Sequence, residues 1–225
     1  MRIIKPSVQI LEEPKDLQEA LNKIEYCART CYQSVSCGEP EEFIRGLMIR
    51  GHLSVLEHVS LSARFVVSRG ITHELVRHRL ASYSQESTRY VNQNNMDTIL
   101  PWWMSETMLG EHTFASCADP EFHKIADPEE RMWINAMLNA ERSYRDMRAA
   151  LLSRDVARGV LPNDLATTIV MTANVREWRH VLELRTSKHA HPDMRLIMNK
   201  LLVNMKLLLP VLFEDIRGYD ANSSV

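Results

Sequence analysis

The sequence predicts an α+β fold, a small, mostly antiparallel sheet flanked by helices, and three observations carry that expectation. From Val59 to Ser68, the apolar Val59, Leu61, Ala63, Phe65 and Val67 alternate with largely polar residues, the two-residue period of a strand buried on one face. Leu165 to Ala173 is rich in Thr, Ile and Val and reads as a second strand. Helical periods dominate elsewhere, and no regular strand–helix–strand alternation links the two strands. The 225 residues suffice for one large domain, expected over 1–220 with a frayed tail at 221–225.

The remaining elements follow in order. Residues 15–32 form a helix after Pro14, with Leu17, Leu21 and Ile24 on one face and Cys27 and Cys31 continuing it as buried small hydrophobes. Residues 40–50 form another, opened by Pro40 and stopped by Gly51. After Gly70, THELVRHR is a short helix, and ASYSQESTRY is a polar loop running into an extended piece. Residues 94–126 have no clear period and read as irregular. Asp127-Pro128-Glu129-Glu130 combines a capping side chain, a first-turn proline and acids at the positive helix end. It starts a helix to about 152 with Trp133, Met137, Ala140, Met147 and Leu151 inward. A shorter helix at 154–161 ends before Pro162. Asn174 with Glu177 makes a capping-box-like start to a helix through Leu184. Pro192 opens the last helix, with Met194, Ile197, Leu201, Met205 and Leu208 inward.

Composition excludes several function classes. Twenty-seven basic against twenty-nine acidic residues leave no whole-molecule field to hold a polyanion or an anionic membrane, so any anion site is local. No signal-peptide core or membrane-spanning run is visible, and the chain reads as cytoplasmic. Cys27, Cys31, Cys37 and Cys117 form no C-x-x-C pair, so neither a metal nor a redox site is expected. The seven glycines fall where neither G-x-G-x-x-G nor a phosphate loop can be written. His73 and His78 stand five apart and cannot share one metal from one helix face.

Arginine placement stands out. Arg77, Arg79 and Arg89 lie close to His78, Ser82, Ser84, Gln85, Ser87, Thr88 and Tyr90, a dense set of donors on a turn. Guanidinium forks meet phosphate oxygens at two points and need no protonation, so such a loop suits an oxyanion; a solvated basic helix end is the plain alternative. Arg158, Arg176 and Arg185 lie in amphipathic segments, where salt bridges to Glu177 or Glu183 would account for them. The residues alone therefore leave open a non-catalytic nucleic-acid-binding module using VRHRLASYSQESTRY as a basic arm, or a metal-dependent nucleotide phosphohydrolase.

Arg77-His78-Arg79, seven intervening residues and Ser87 resemble the signature of the flavin-dependent thymidylate synthases. GHLSVLEH at 51–58, ARTCY at 28–32, DVARGVLP at 155–162, TANVREW at 172–178 and LELRTSKHAHPDMR at 182–195 are similar to further blocks of that family, in its order. The resemblance implies reductive methylation of dUMP to dTMP, with methylenetetrahydrofolate as carbon donor, FAD as hydride relay and NADPH as reductant, in a homotetramer whose sites are shared between subunits.

It also implies residue roles. FAD would contact Ser54, Arg77, His78, Arg79, Gln85, Asn174, Val175, Arg176 and His180. The nucleotide would lie along Glu74, Leu75, Val76 and Arg77, then Gln85, Glu86, Ser87, Thr88 and Arg89, with Arg158. Arg185 would sit at the uracil as the catalytic residue, stabilising charge that develops on the ring. His52 and Tyr90 would lie near flavin or folate, and His58 and His189 are expected to be packed and hydrogen-bonded. Gln85 stands where the family commonly has Glu, Ser84 where Asn is usual, and HAHPD where His-Ala-Gln-x-Glu is often seen; the amide at 85 can donate and accept hydrogen bonds but supplies no carboxylate.

Overall fold

The computed structural model describes residues 1–12, 14–31, 33–35, 38–114 and 119–219. Tyr32, Cys37, Cys117 and the tail 221–225 lie outside the described residues. The chain divides into two compact units, Met1–Ser7 with Val66–Glu74 and Gln85–Ile169, and Val8–Phe65 with Leu75–Ser84 and Val170–Val225.

In the first unit, the short strand β1 (Arg2–Ile4) is the centre of a three-stranded sheet. It runs parallel to β5 (Asp97–Ile99), with Ile3 opposite Thr98, and antiparallel to β6 (Gly110–Glu111). The stretch read as irregular therefore holds two strands, each too short to show a period. Helix α4 (Pro128–Ala149) begins as expected: the Asp127 carboxylate accepts from the backbone N–H groups of Glu129 at 2.8 Å and Glu130 at 3.3 Å. Its buried face is Glu130, Ile134, Met137, Leu138, Glu141 and Tyr144. Met147 is only half-buried and Leu151 is 91% exposed, because the helix stops at Ala149 and Leu151 turns out with φ 65°. Met1, Ile3, Met96, Phe122, Ile134 and Leu138 share this unit's core. Within it, buried Glu141 accepts from the Met1 ammonium at 3.1 Å and the Met96 N–H at 2.9 Å. The expected helix at 154–161 is a single turn, α5 (Arg154–Ala157), followed by a tighter turn at Arg158–Val160.

A four-stranded sheet has the order β2 (Ser7–Ile10), β3 (Ser60–Ser68), β7 (Ala166–Asn174), β4 (Ala81–Gln85). The two predicted strands are its central antiparallel pair, with Ser62 and Thr172 hydroxyls 2.9 Å apart and Val175 N–H donating to Val59 at 2.9 Å. The segment ASYSQ, expected as loop, is an edge strand of this sheet.

In the second unit, helices α1 (Pro14–Thr30), α2 (Pro40–Ile49), α6 (Val175–Arg185), α7 (Pro192–Leu208) and α8 (Pro210–Phe213) surround a core centred on Trp178. That indole is fully buried, donates to the Leu61 carbonyl at 2.9 Å and lies 6.5 Å from the Phe65 ring. Burying roughly 200 Å² of aromatic surface contributes about 4–5 kcal/mol. Leu17, Leu21 and Ile24 are buried as expected. Cys27 is only half-buried and Cys31 is exposed, because α1 ends at Thr30 and the last thiol leaves the helical face. Leu208, the last residue of α7, is 40% exposed; Met198 and Leu202 fill the inward face instead.

Candidate active site

Helix α3 (Arg69–Leu75) stops four residues earlier than THELVRHR suggested, so Val76, Arg77, His78 and Arg79 form a turn. The Tyr83 hydroxyl sits 2.7 Å from both the Leu75 and His78 carbonyls and pins that turn. Burial first, with Glu177 adding and Arg185 opposing, raises the Tyr83 phenol to about 12, so it stays a neutral donor. Arg77 and Arg79 are exposed while His78, between them, is buried.

Arg185 is the last residue of α6, where a cation meets the negative end of the helix dipole. Its Nε donates to Nε2 of His78 at 2.9 Å, joining residues 107 positions apart. Burial first, then the charges of Arg185 and His180, lowers the His78 imidazole to about 4, so the ring is neutral at pH 7. Since Nε2 accepts, the ring proton is assigned to Nδ1, which faces Glu177 Oε1 at 3.8 Å. The His180 ring stands edge-on at 6.1 Å. Asn174 caps α6 by accepting from the Glu177 N–H at 2.8 Å, and Val175 is buried behind it.

A cleft of about 330 Å³ in the same unit is lined by His52, Ser54 and Arg176 with Ala28, Cys31, Leu47, Leu53 and Val55. Gly51 makes it possible: its φ of +77° lets the chain turn back after α2, with His52 N–H donating to Leu47 at 2.9 Å. Arg176 pairs with Glu57 at 2.6 Å rather than with Glu177 or Glu183. His58 and His189 are exposed, contrary to the packed environment expected for them.

The other predicted residues lie in the first unit. Gln85 donates to Thr72 Oγ1 at 2.9 Å and Thr167 Oγ1 at 3.5 Å. Glu86 accepts from the Gln93 amide at 3.3 Å, and both line a cleft of about 240 Å³ with Thr167 and Thr168. Ser87 Oγ accepts from the Arg89 N–H at 3.3 Å, Thr88 is buried, and Arg89 Nε reaches Asp155 at 2.7 Å. Arg158 is exposed one turn beyond Asp155, Glu74 is half-buried on α3, and Tyr90 is 74% exposed.

The structure thus brings His78, His180 and Arg185 together beside exposed Arg77 and Arg79. It brings Ser54 to Arg176 and His52, and Gln85, Glu86, Ser87, Thr88 and Arg89 onto one strand end and turn. Of the four guanidinium groups expected around one ligand, Arg77 and Arg185 belong to the second unit and Arg89 and Arg158 to the first. Sequence reasoning missed Tyr83 and Glu57 as partners, saw Glu177 only as a helix start or a salt-bridge partner, and passed over Asp155 inside DVARGVLP.

Residues 15–211 match a family model described as thymidylate synthase complementing protein. A flavin-dependent thymidylate synthase of Mycobacterium sp. (strain KMS) is 36% identical over 202 residues, covering 87% of this chain and 80% of its own length. The Mycobacterium avium protein of the same name is 35% identical over 206 residues, with 85% and 78% covered. Thymidylate Synthase X from Helicobacter pylori, solved with FAD and dUMP, superposes with TM-score 0.65 at 25% identity, covering 94% of this chain and 98% of that one. The UMP/dUMP methylase PolB from Streptomyces cacaoi shares the fold with TM-score 0.73 at 21% identity, over 95% and 96% of the two chains. A match along most of the chain, with the Arg-His-Arg turn and Arg185 joined by a hydrogen bond, places this protein in the flavin-dependent thymidylate synthase family.

Proposed function

We propose that the protein methylates dUMP to dTMP with FAD as cofactor, methylenetetrahydrofolate as carbon donor and NADPH as reductant. The carrying observation is the Arg185–His78 hydrogen bond, which fixes a guanidinium against the Arg-His-Arg turn. An anionic uracil ring would be met by the Arg185 guanidinium, whose fork suits an imide edge. Such a pre-placed charge favours the anionic form of uracil and contributes several kcal/mol where charge develops on the ring. Because His78 is neutral, it adds no charge of its own beside Arg185.

The residues fit FAD. A cleft walled by Leu47, Leu53 and Val55 offers apolar surface to a flavin, while His52, Ser54 and Arg176 at its rim offer donors to carbonyl and phosphate oxygens. Ser54, Arg176 and His180, with Arg77, His78, Arg79, Gln85, Asn174 and Val175, would hold it. When bound, FAD supplies the hydride. Ser87, Arg89 and Arg158 would take the phosphate, and Arg89 must leave Asp155 to do so. Assembly as a homotetramer with shared sites, and a cytoplasmic location, belong to the same reading; among the described residues no helix is long and apolar enough to cross a membrane.

The basic-arm alternative is not favoured, since Arg89, at the end of that arm, is engaged by Asp155 rather than presented to a polyanion. The test is direct: purified protein is expected to take up FAD, bleach with NADPH and form dTMP from dUMP and methylenetetrahydrofolate. A colourless protein that shifts RNA in a salt-dependent way would overturn the assignment.

A further inference from the structure

The buried carboxylate of Glu177 does work that its place at a helix start does not explain. Its side chain is 9% exposed, and burying a carboxylate without a compensating group is costly. What it faces is Nδ1 of His78, at 3.8 Å. On the other side of that ring, Arg185 Nε, which can only donate, lies 2.9 Å from Nε2. Carboxylate, imidazole and guanidinium therefore follow one another, with the neutral ring between the two charges.

The tautomer of the ring decides whether this line holds. With the proton on Nδ1, its positive end lies 3.8 Å from the carboxylate and the bare Nε2 accepts from Arg185. With the proton on Nε2, two donors oppose each other and the Arg185 contact is lost. We propose that Glu177 is a positioning residue: it holds His78 as the Nδ1–H tautomer, and His78 in turn aims Arg185. The logic parallels carboxylates that orient metal-bound histidines from behind. Among the described residues, the charged and titratable groups around the ring fit. On α6, Glu177 favours the Nδ1 proton, His180 presents a ring edge at 6.1 Å, and Arg185 fills Nε2. On β4, Tyr83 takes the His78 carbonyl and leaves both ring nitrogens to α6. Arg77 and Arg79, the neighbours in sequence, are exposed. Tyr83 also senses both ends of the line, since Glu177 raises its phenol and Arg185 lowers it.

This inference rests on the dUMP reading for its consequence but not for its test. The protein is labelled with ¹⁵N-imidazole histidine, and the buried ring is assigned from the signal missing in His78→Gln. Wild-type protein without ligand should show His78 with Nδ1 protonated and Nε2 bare at pH 7. Glu177→Met, which keeps the helix and the volume, should give a mixture of tautomers or the Nε2–H form. Its dUMP affinity should fall about tenfold at unchanged FAD content. Should Glu177→Met not fold, Glu177→Gln is expected to move the same signal in the same direction, by less. A wild-type ring protonated on Nε2, or a variant ring unchanged from wild type, overturns the proposal. If instead the tautomer shifts while dUMP affinity is unchanged in both Glu177→Met and Arg185→Ala, the positioning stands and the assignment of Arg185 to the uracil fails.

Discussion

Arg89 Nε and Asp155 Oδ1 lie 2.7 Å apart, each side chain about half exposed at 54% and 52%. A guanidinium assigned to a phosphate is thus closed on a carboxylate of its own chain. A dianion outcompetes a single carboxylate for a guanidinium fork, but the competition subtracts from affinity. Asp155→Asn should therefore bind dUMP more tightly, about two- to fivefold at low salt and less at high salt, with stability within ~0.5 kcal/mol of wild type. Calorimetric titration at two salt concentrations measures it; weaker binding by Asp155→Asn would show that the carboxylate helps the site rather than competing in it.

Arg185→Ala removes the guanidinium while leaving the His52, Ser54 and Arg176 cleft untouched. dTMP formation should be lost, by a factor of at least about 10³, with flavin still bound. Ser87→Ala should cost no more than about tenfold, because the hydroxyl accepts from the Arg89 N–H and holds a turn rather than attacking carbon. Near-normal turnover in the first, or complete inactivity with intact dUMP binding in the second, would reverse the roles of these residues.

Periodicity made legible those elements long enough to repeat it. Ser60–Ser68 and Ala166–Asn174 each carry four or more alternations, and the Asp127 and Asn174 caps mark helix starts to the residue. Arg2–Ile4 and Asp97–Ile99 have three residues each, and their pairing is set by a partner 95 positions away, which no local pattern announces. Ala81–Gln85 looked like loop because an edge strand in polar surroundings has no buried face to reveal it. The site divides similarly. The family resemblance pointed to Arg185 and the Arg-His-Arg turn, but Glu177 emerges only from tertiary geometry, since it faces His78 from a distant segment, and Tyr83 only once its strand folds back on the turn just before it.

His78 gives a pH dependence whose sign follows from burial. Its folded value of about 4 lies below the ordinary histidine value, so between the two the unfolded chain binds a proton that the folded one does not. Stability should be unaffected above about pH 7 and fall as the pH drops through that window, by about 2 kcal/mol in all, a figure reduced for the solvent near His180. Urea titrations at pH 7.5, 5.5 and 4.5 check this, with His78→Gln expected to lose that part of the slope. Parallel slopes in the two proteins would mean the imidazole is not the group responsible.

Arg179 and Asp215 form a two-point ion pair in the second unit, and the two partners differ in exposure, which predicts an asymmetric response. Both Nη groups of Arg179 meet the carboxylate at 2.7 Å, and Nη1 also donates to the Leu212 carbonyl. The Arg179 side chain is 9% exposed whereas that of Asp215 is 56% exposed. Removing the aspartate leaves a buried cation with one carbonyl and a long contact to Glu183 at 3.9 Å; removing the arginine leaves a carboxylate that water can reach. Asp215→Ala should therefore cost about 2 kcal/mol and Arg179→Met less, because a buried charge left with one distant, exposed carboxylate is worse than a missing pair. Hydrogen bonding to Arg179, against burial, holds the Asp215 carboxyl below its usual value. Its contribution is accordingly complete above the ordinary aspartate value and is lost as the pH falls below it. Denaturant midpoints for both variants at pH 7 and pH 3.5 measure this: the gap between wild type and Asp215→Ala should narrow in acid, and an Arg179→Met variant that is the less stable of the two would show that the pair is held by packing rather than by charge.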